Sequence, residues 1–258
     1  MPNRSRSQLD AWLPALLLIA GTLAFLGGGR QHPRVNSSTM PSGSAEEYLR
    51  HFADMIVSMP NWEPVHTLIL FGPVLWALGA ASSVRLLPSG AAVLGEVGRT
   101  ALLAGAGLWA LAFVLDGYAG PRYAQAVMAA GRGNDAAAIA SFGANAFLMA
   151  RIGMVSVALI AVAAMSFGVA LLLDARVRSW RAVVGILGVL VGAWPVIATL
   201  QGEFYPGPFT SVHWTTTAIS LGAWFLLLGT ALPGLLSSKL AVSLQNPVDI
   251  VVVEPAHS

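Results

Sequence analysis

Apolar residues in this chain fall into six long blocks separated by polar stretches. The blocks run from about Ala11 to Gly29, Val65 to Val84, Thr100 to Ala119, Phe142 to Leu173, Ala182 to Leu200 and Thr215 to Leu236. Each is near or above the ~20 residues that carry a helix across a hydrocarbon core of ~30 Å. Within lipid the backbone must satisfy its own hydrogen bonds, so the pattern predicts six α-helices. The fourth block is the longest and should tilt or protrude. Pro14, Pro73 and Pro195 lie inside blocks and are predicted to kink them. The stretch from Ala45 to Met59 has a different rhythm. Leu49, Phe52, Ala53 and Ile56 share one helical face, with Glu46, Glu47, Arg50 and Asp54 elsewhere. This predicts a short amphipathic helix that either lies on the membrane interface or caps the bundle. The expected fold is all-α: a polytopic bundle of six transmembrane helices over residues 1–240, with an external loop at about 30–64 and a short tail at 241–258.

Composition narrows the picture further. Hydrophobic residues make up 56% of the 258 and charged residues 10%, against about 25% charged in soluble domains. Polar surface of that extent does not suit a soluble fold of this length. No basic stripe points to nucleic acid. The chain has no cysteine, which excludes disulfides, thiolate metal sites and a cysteine nucleophile. Arg4 and Arg6 precede the first block, as in a secretion signal. That block is long for such a signal and no clean small-x-small site precedes Arg30, so it is read as a retained helix.

The basic residues set the direction. With alternating helices, Arg4, Arg6, Arg85, Arg99, Arg176, Arg178, Arg181 and Lys239 share one side. That side is expected to be cytoplasmic, with both termini there. Arg30, Arg34, Arg50, Arg122 and Arg132 fall opposite, mixed with acidic residues.

Groups capable of chemistry gather at the outer ends. Glu63 and His66 open the second block, Asp116 closes the third, and Arg151 lies about two turns into the fourth. Glu203 and Tyr205 follow the fifth, and His213 opens the sixth. Ionisable groups in a span are costly and mark a pair or a site. Asp116 and Arg151 are expected to meet, either as a structural ion pair or in ligand binding. His66 and His213 are candidate ligands for haem or for a copper, iron or zinc ion, with Glu63 as a further metal ligand. Asp116, Arg151, Glu203 and Tyr205 are the candidate catalytic or proton-handling groups. Each also has a plainer reading: Glu63 before Pro64 suits a helix start, and His213 beside Trp214 suits an interfacial belt. Arg122 and Tyr205 are candidates for contact with lipid headgroups or an anionic substrate. Ala104-Gly105-Ala106-Gly107 reads as a close-packing helix surface, not a phosphate loop. No nucleotide-binding glycine motif or Gly-x-Ser-x-Gly is present.

The string Leu115-Asp116-Gly117-Tyr118, the opening Trp62 to His66, and the Ala/Gly/Val/Leu-rich helices resemble six-helix membrane proteins of actinobacteria. The resemblance implies a bacterial inner-membrane location and carries no activity. The residues themselves lead to one main expectation: a membrane oxidoreductase or oxygenase-like enzyme, with haem or metal at the outer leaflet and a small hydrophobic substrate. A solute carrier, or a subunit that docks a protein partner through its external loop, are the alternatives. Membrane lipids are expected neighbours in each case.

Overall fold

The computed structural model describes residues 4–33, 44–87, 89–131, 136–174, 179–200 and 211–245. Among them the chain is helical throughout, with no strand. The elements are α1 (Arg4–Gln31), α2 (Ala45–Ser58), α3 (Trp62–Ser83), α4 (Ala92–Val114), α5 (Gly120–Ala130), α6 (Ala136–Asp174), α7 (Trp180–Leu200) and α8 (Ser211–Gln245). Two short 3-10 turns join α3 to α4, and one wide π turn, Leu115–Ala119, joins α4 to α5. Six stretches are long and apolar enough to cross a membrane: Trp12–Gln31, Trp62–Leu86, Ser89–Ala130, Ala136–Leu173, Trp180–Ile197 and Thr216–Pro233. The protein is a multi-pass helical membrane protein by that criterion. Pro14, Pro73, Pro195 and Pro233 all sit inside continuous helices.

Glycine sets the closest helix contacts. A Cβ added to Gly72 of α3 would fall 2.5 Å from Phe25 Cβ and 3.1 Å from the Gly21 carbonyl of α1. One added to Gly28 would fall 2.7 Å from Ile69 Cγ1. Small residues therefore bring the α1 and α3 backbones together, as expected where helix association rests on van der Waals packing. The predicted small-residue surface on α4 behaves likewise: Gly105 faces Ile160 of α6, and Ser156 Oγ donates to the Gly105 carbonyl at 2.7 Å. These antiparallel contacts place the end of α1, the starts of α3 and α6, and the α4–α5 junction at one end of the bundle, the site end.

Two apolar cores result. In the larger, buried indoles cross-link helices: Trp76 Nε1 donates to Thr22 Oγ1 (3.1 Å), Trp109 Nε1 to the Ile69 carbonyl (3.2 Å) and Trp224 Nε1 to the Val184 carbonyl (2.9 Å). Outward-facing Leu23, Phe71, Leu111 and Leu190 are exposed, as a lipid-facing surface requires. The smaller core lies at the site end. Ser44 and Glu47 cap α2 reciprocally. The α2 residues Leu49, Phe52, Ala53 and Ile56 pack on Trp62, Ala124, Val127, Ile139 and Phe142. The apolar face of α2 therefore packs on the site end of the bundle. The third and fourth spans, Ser89–Ala130 and Ala136–Leu173, outrun the blocks predicted for them because their extra length builds this cap. At 1.5 Å per residue, the 39 residues of α6 extend about 58 Å, well beyond a hydrocarbon core.

Gly72→Val should overpack the α1–α3 contact and destabilise the protein by about 1–3 kcal/mol. Thermal unfolding in detergent would show this as a lowered Tm. Gly107→Ala meets open space and should leave the Tm unchanged.

Candidate functional site

The site starts from a defect in a helix. Past Val114 the backbone widens into the π turn Leu115–Ala119, and such bulges recur at functional sites. Neighbouring side chains hold it in place. Asn145 Nδ2 of α6 donates to the Leu115 carbonyl at 3.2 Å, and Trp62 Nε1 of α3 donates to the Asp116 carbonyl at 2.9 Å. Thr67 Oγ1 donates to the Glu63 carbonyl (2.8 Å), so the Tyr118 hydroxyl donates to Thr67 Oγ1 across the same junction (2.6 Å). Gly117 allows α3 to come in close: a Cβ there would lie 2.6 Å from His66 Cβ. The bulge presents Asp116 Oδ2 to His66 Nε2 at 3.0 Å.

His66 is fully buried. The Trp62 ring stacks on it (centroids 4.3 Å, 24°), and Phe113 lies 5.7 Å away. Its Nδ1 is 2.7 Å from the Trp62 carbonyl. A carbonyl only accepts, so Nδ1 carries a proton. His32 completes the group. Its backbone N–H donates to the Gly28 carbonyl (2.9 Å), continuing the last turn of α1. Its Nδ1 is 2.9 Å from the Pro33 carbonyl and is protonated by the same reasoning, and its Nε2 is 3.2 Å from His66 Nε2. Burial, then the neighbouring His66, hold His32 below the ordinary histidine value; Asp116 and the bond to Pro33 oppose this. His32, His66 and Asp116 each offer one ligand atom, all within 4.8 Å of one another.

This arrangement suits a small cation better than haem. In haem the porphyrin nitrogens occupy the four positions around the histidine–iron axis. Here another imidazole nitrogen and a carboxylate oxygen crowd His66 Nε2 at 3.2 and 3.0 Å, leaving no plane for a porphyrin. The haem expected on His66 therefore does not fit.

Of the residues singled out in the sequence, His66 and Asp116 come together. Glu63 is exposed at the start of α3 and is not one of the three donors, because it points about 100° round the helix from Trp62. Arg151 sets its guanidinium 4.8 Å over the Phe147 ring of its own helix. Arg122 is exposed on α5. His213 lies in the first turn of α8, with its side chain outside the described residues. Glu203 and Tyr205 also lie outside them. His32 and Asn145 escaped the sequence reading. The residue pattern assigns everything from Arg30 onward to the external loop, whereas α1 runs to Gln31. The signal for His32 was its position: one turn past a span whose end meets the start of the His66 helix.

Trp62→Phe should leave the Asp116 carbonyl without its indole donor and cost about 1–3 kcal/mol, measurable as a lowered Tm. A second expectation concerns pH. The folded pKa of His32 lies below its unfolded value, so the unfolded chain binds more protons between the two. Stability is then full above about pH 6.5 and is lost as the pH falls through the folded value. In chelator, unfolding followed from about pH 7 to about pH 5 should show this loss, and His32→Asn should reduce it. Comparison with protein-family models, with curated proteins and with solved structures finds no match to this chain.

Proposed function

We propose that this protein is an integral enzyme of a bacterial inner membrane, an oxidoreductase acting on a small lipid-soluble substrate. Its active centre is the cluster of His32, His66 and Asp116. The excess of Lys and Arg at the ends opposite the site supports an arrangement with both termini inside and the site end outside. One observation carries the reading: a fully buried histidine and a carboxylate, 3.0 Å apart, at the seam between the two apolar cores. Buried ionisable groups at membrane depth are costly, and they are kept where they serve a site. Two imidazoles and a carboxylate also suit the transition metals that redox chemistry requires. Leu68, Phe71, Leu111 and Val114 are exposed on the helices that carry the cluster. They give an apolar approach from the bilayer.

Two measurements test this. The chain has no cysteine, so single substitutions report topology directly. In intact cells a membrane-impermeant maleimide should label Ser44→Cys and not Gly90→Cys; the opposite pattern overturns the orientation. Protein in nanodiscs should oxidise a lipid-soluble quinol with dioxygen as acceptor, and Asp116→Asn should lower that rate roughly 100-fold. Equal rates in wild type and variant would sink the proposed centre.

A further inference from the structure

The protonation pattern of the cluster specifies more than an active centre. Both imidazoles give their Nδ1 protons to backbone carbonyls, of Trp62 and Pro33. In their neutral forms both Nε2 atoms are therefore bare lone pairs. They face each other at 3.2 Å, and Asp116 Oδ2 faces His66 Nε2 at 3.0 Å. In that state three acceptors converge with no donor among them, which is repulsive until a proton or a metal cation enters.

We infer that His32 Nε2, His66 Nε2 and an Asp116 carboxylate oxygen bind a single divalent transition-metal ion, leaving at least one coordination position for an exogenous ligand. The inference takes up the centre proposed above and rests on reading it as more than a hydrogen-bonded cross-link between helices. Ligands at about 2.0–2.2 Å from one metal lie roughly 2.8–3.1 Å apart along an octahedral edge and roughly 3.3–3.6 Å apart along a tetrahedral one. The 3.0 and 3.2 Å separations fall in that range, and all three ligand atoms lie within 4.8 Å of one another. The Nδ1–carbonyl bonds are the outer contacts that fix the tautomer and aim of a metal-bound histidine. Trp62 serves twice, through its carbonyl on His66 and its indole on the Asp116 backbone. Imidazole and carboxylate donors favour zinc, iron, cobalt or nickel over calcium and magnesium, and the site has no thiolate or thioether to select copper(I). Three protein ligands among the described residues, one short of a closed tetrahedral site, are the pattern of a centre that binds water or substrate at the metal.

The rival is a proton in place of the metal, giving an imidazolium–carboxylate pair. Cobalt(II) titration of chelator-treated, detergent-purified protein separates the two. One equivalent should bind and give visible d–d absorption, and excess azide should shift that spectrum by entering the open position. His32→Ala and Asp116→Asn should each weaken cobalt binding by about tenfold or more, while Glu63→Ala leaves it unchanged. Both variants change groups at the margin of the fold or keep their shape, and circular dichroism verifies that the helices remain. No cobalt binding by folded wild type overturns the inference in favour of the proton. Binding that neither variant weakens overturns it as well, since the ion then sits elsewhere. A spectrum indifferent to azide overturns the open position. Metal binding without quinol oxidation would leave this inference standing and sink the activity; quinol oxidation by metal-free protein would do the reverse.

Discussion

The geometry of the site end depends on Trp62. Its indole N–H holds the carbonyl of Asp116, its own carbonyl holds Nδ1 of His66, and its ring stacks on the imidazole between them. The same ring is part of the small core that seats α2. One residue thus couples the cap, the π turn and the buried histidine. The i and i+4 spacing of Trp62 and His66 makes this possible, because it stacks the two side chains on one face of α3. An aromatic of another shape at position 62 would retain some of the burial and lose the donor.

The cap and the bundle differ in what holds them together. In the bundle, apolar surface that faces lipid gains little from the hydrophobic effect, so helices associate through close contact and through hydrogen bonds from buried indoles and hydroxyls. Gly21 and Gly28 against α3, and Ser156 against Gly105, are of that kind. The cap has an amphipathic α2 with charged residues on its outer face, as does a helix of a soluble protein. The cluster lies where the two regimes meet. Below it the helices are too apolar to leave donors for a carboxylate. Above it water would screen the charges and weaken their hold on a cation.

That position also explains the π turn. A regular helix through residues 115–119 would carry Asp116 past α3 at another angle, and a side chain at 117 would push His66 away. The inserted residue turns the carboxylate inward; the Leu115 carbonyl accepts from both the Gly120 N–H and Asn145, and the Asp116 carbonyl accepts from Trp62. A local departure from regular structure is tolerated because neighbouring helices satisfy the backbone groups it frees.

The six candidate spans and their helical type were legible in the residue pattern, because a bilayer imposes a minimum length and demands internal hydrogen bonding on every span. The amphipathic α2, the close-packing face at Gly105 and the gathering of polar groups at one end could be read for the same reason: each is a periodicity or a position along one chain segment. His66 and Asp116 stood out as costly groups near span ends. The partners those groups would find could not be read. Asp116 was expected to meet Arg151 and meets His66, because depth in the membrane can be counted along the chain whereas rotation about each helix axis cannot. The tertiary structure fixed that rotation through the glycine contacts of α1 with α3 and the extra residue of the π turn. It thereby brought in His32, whose place in the sequence looked like loop, and turned Glu63 outward.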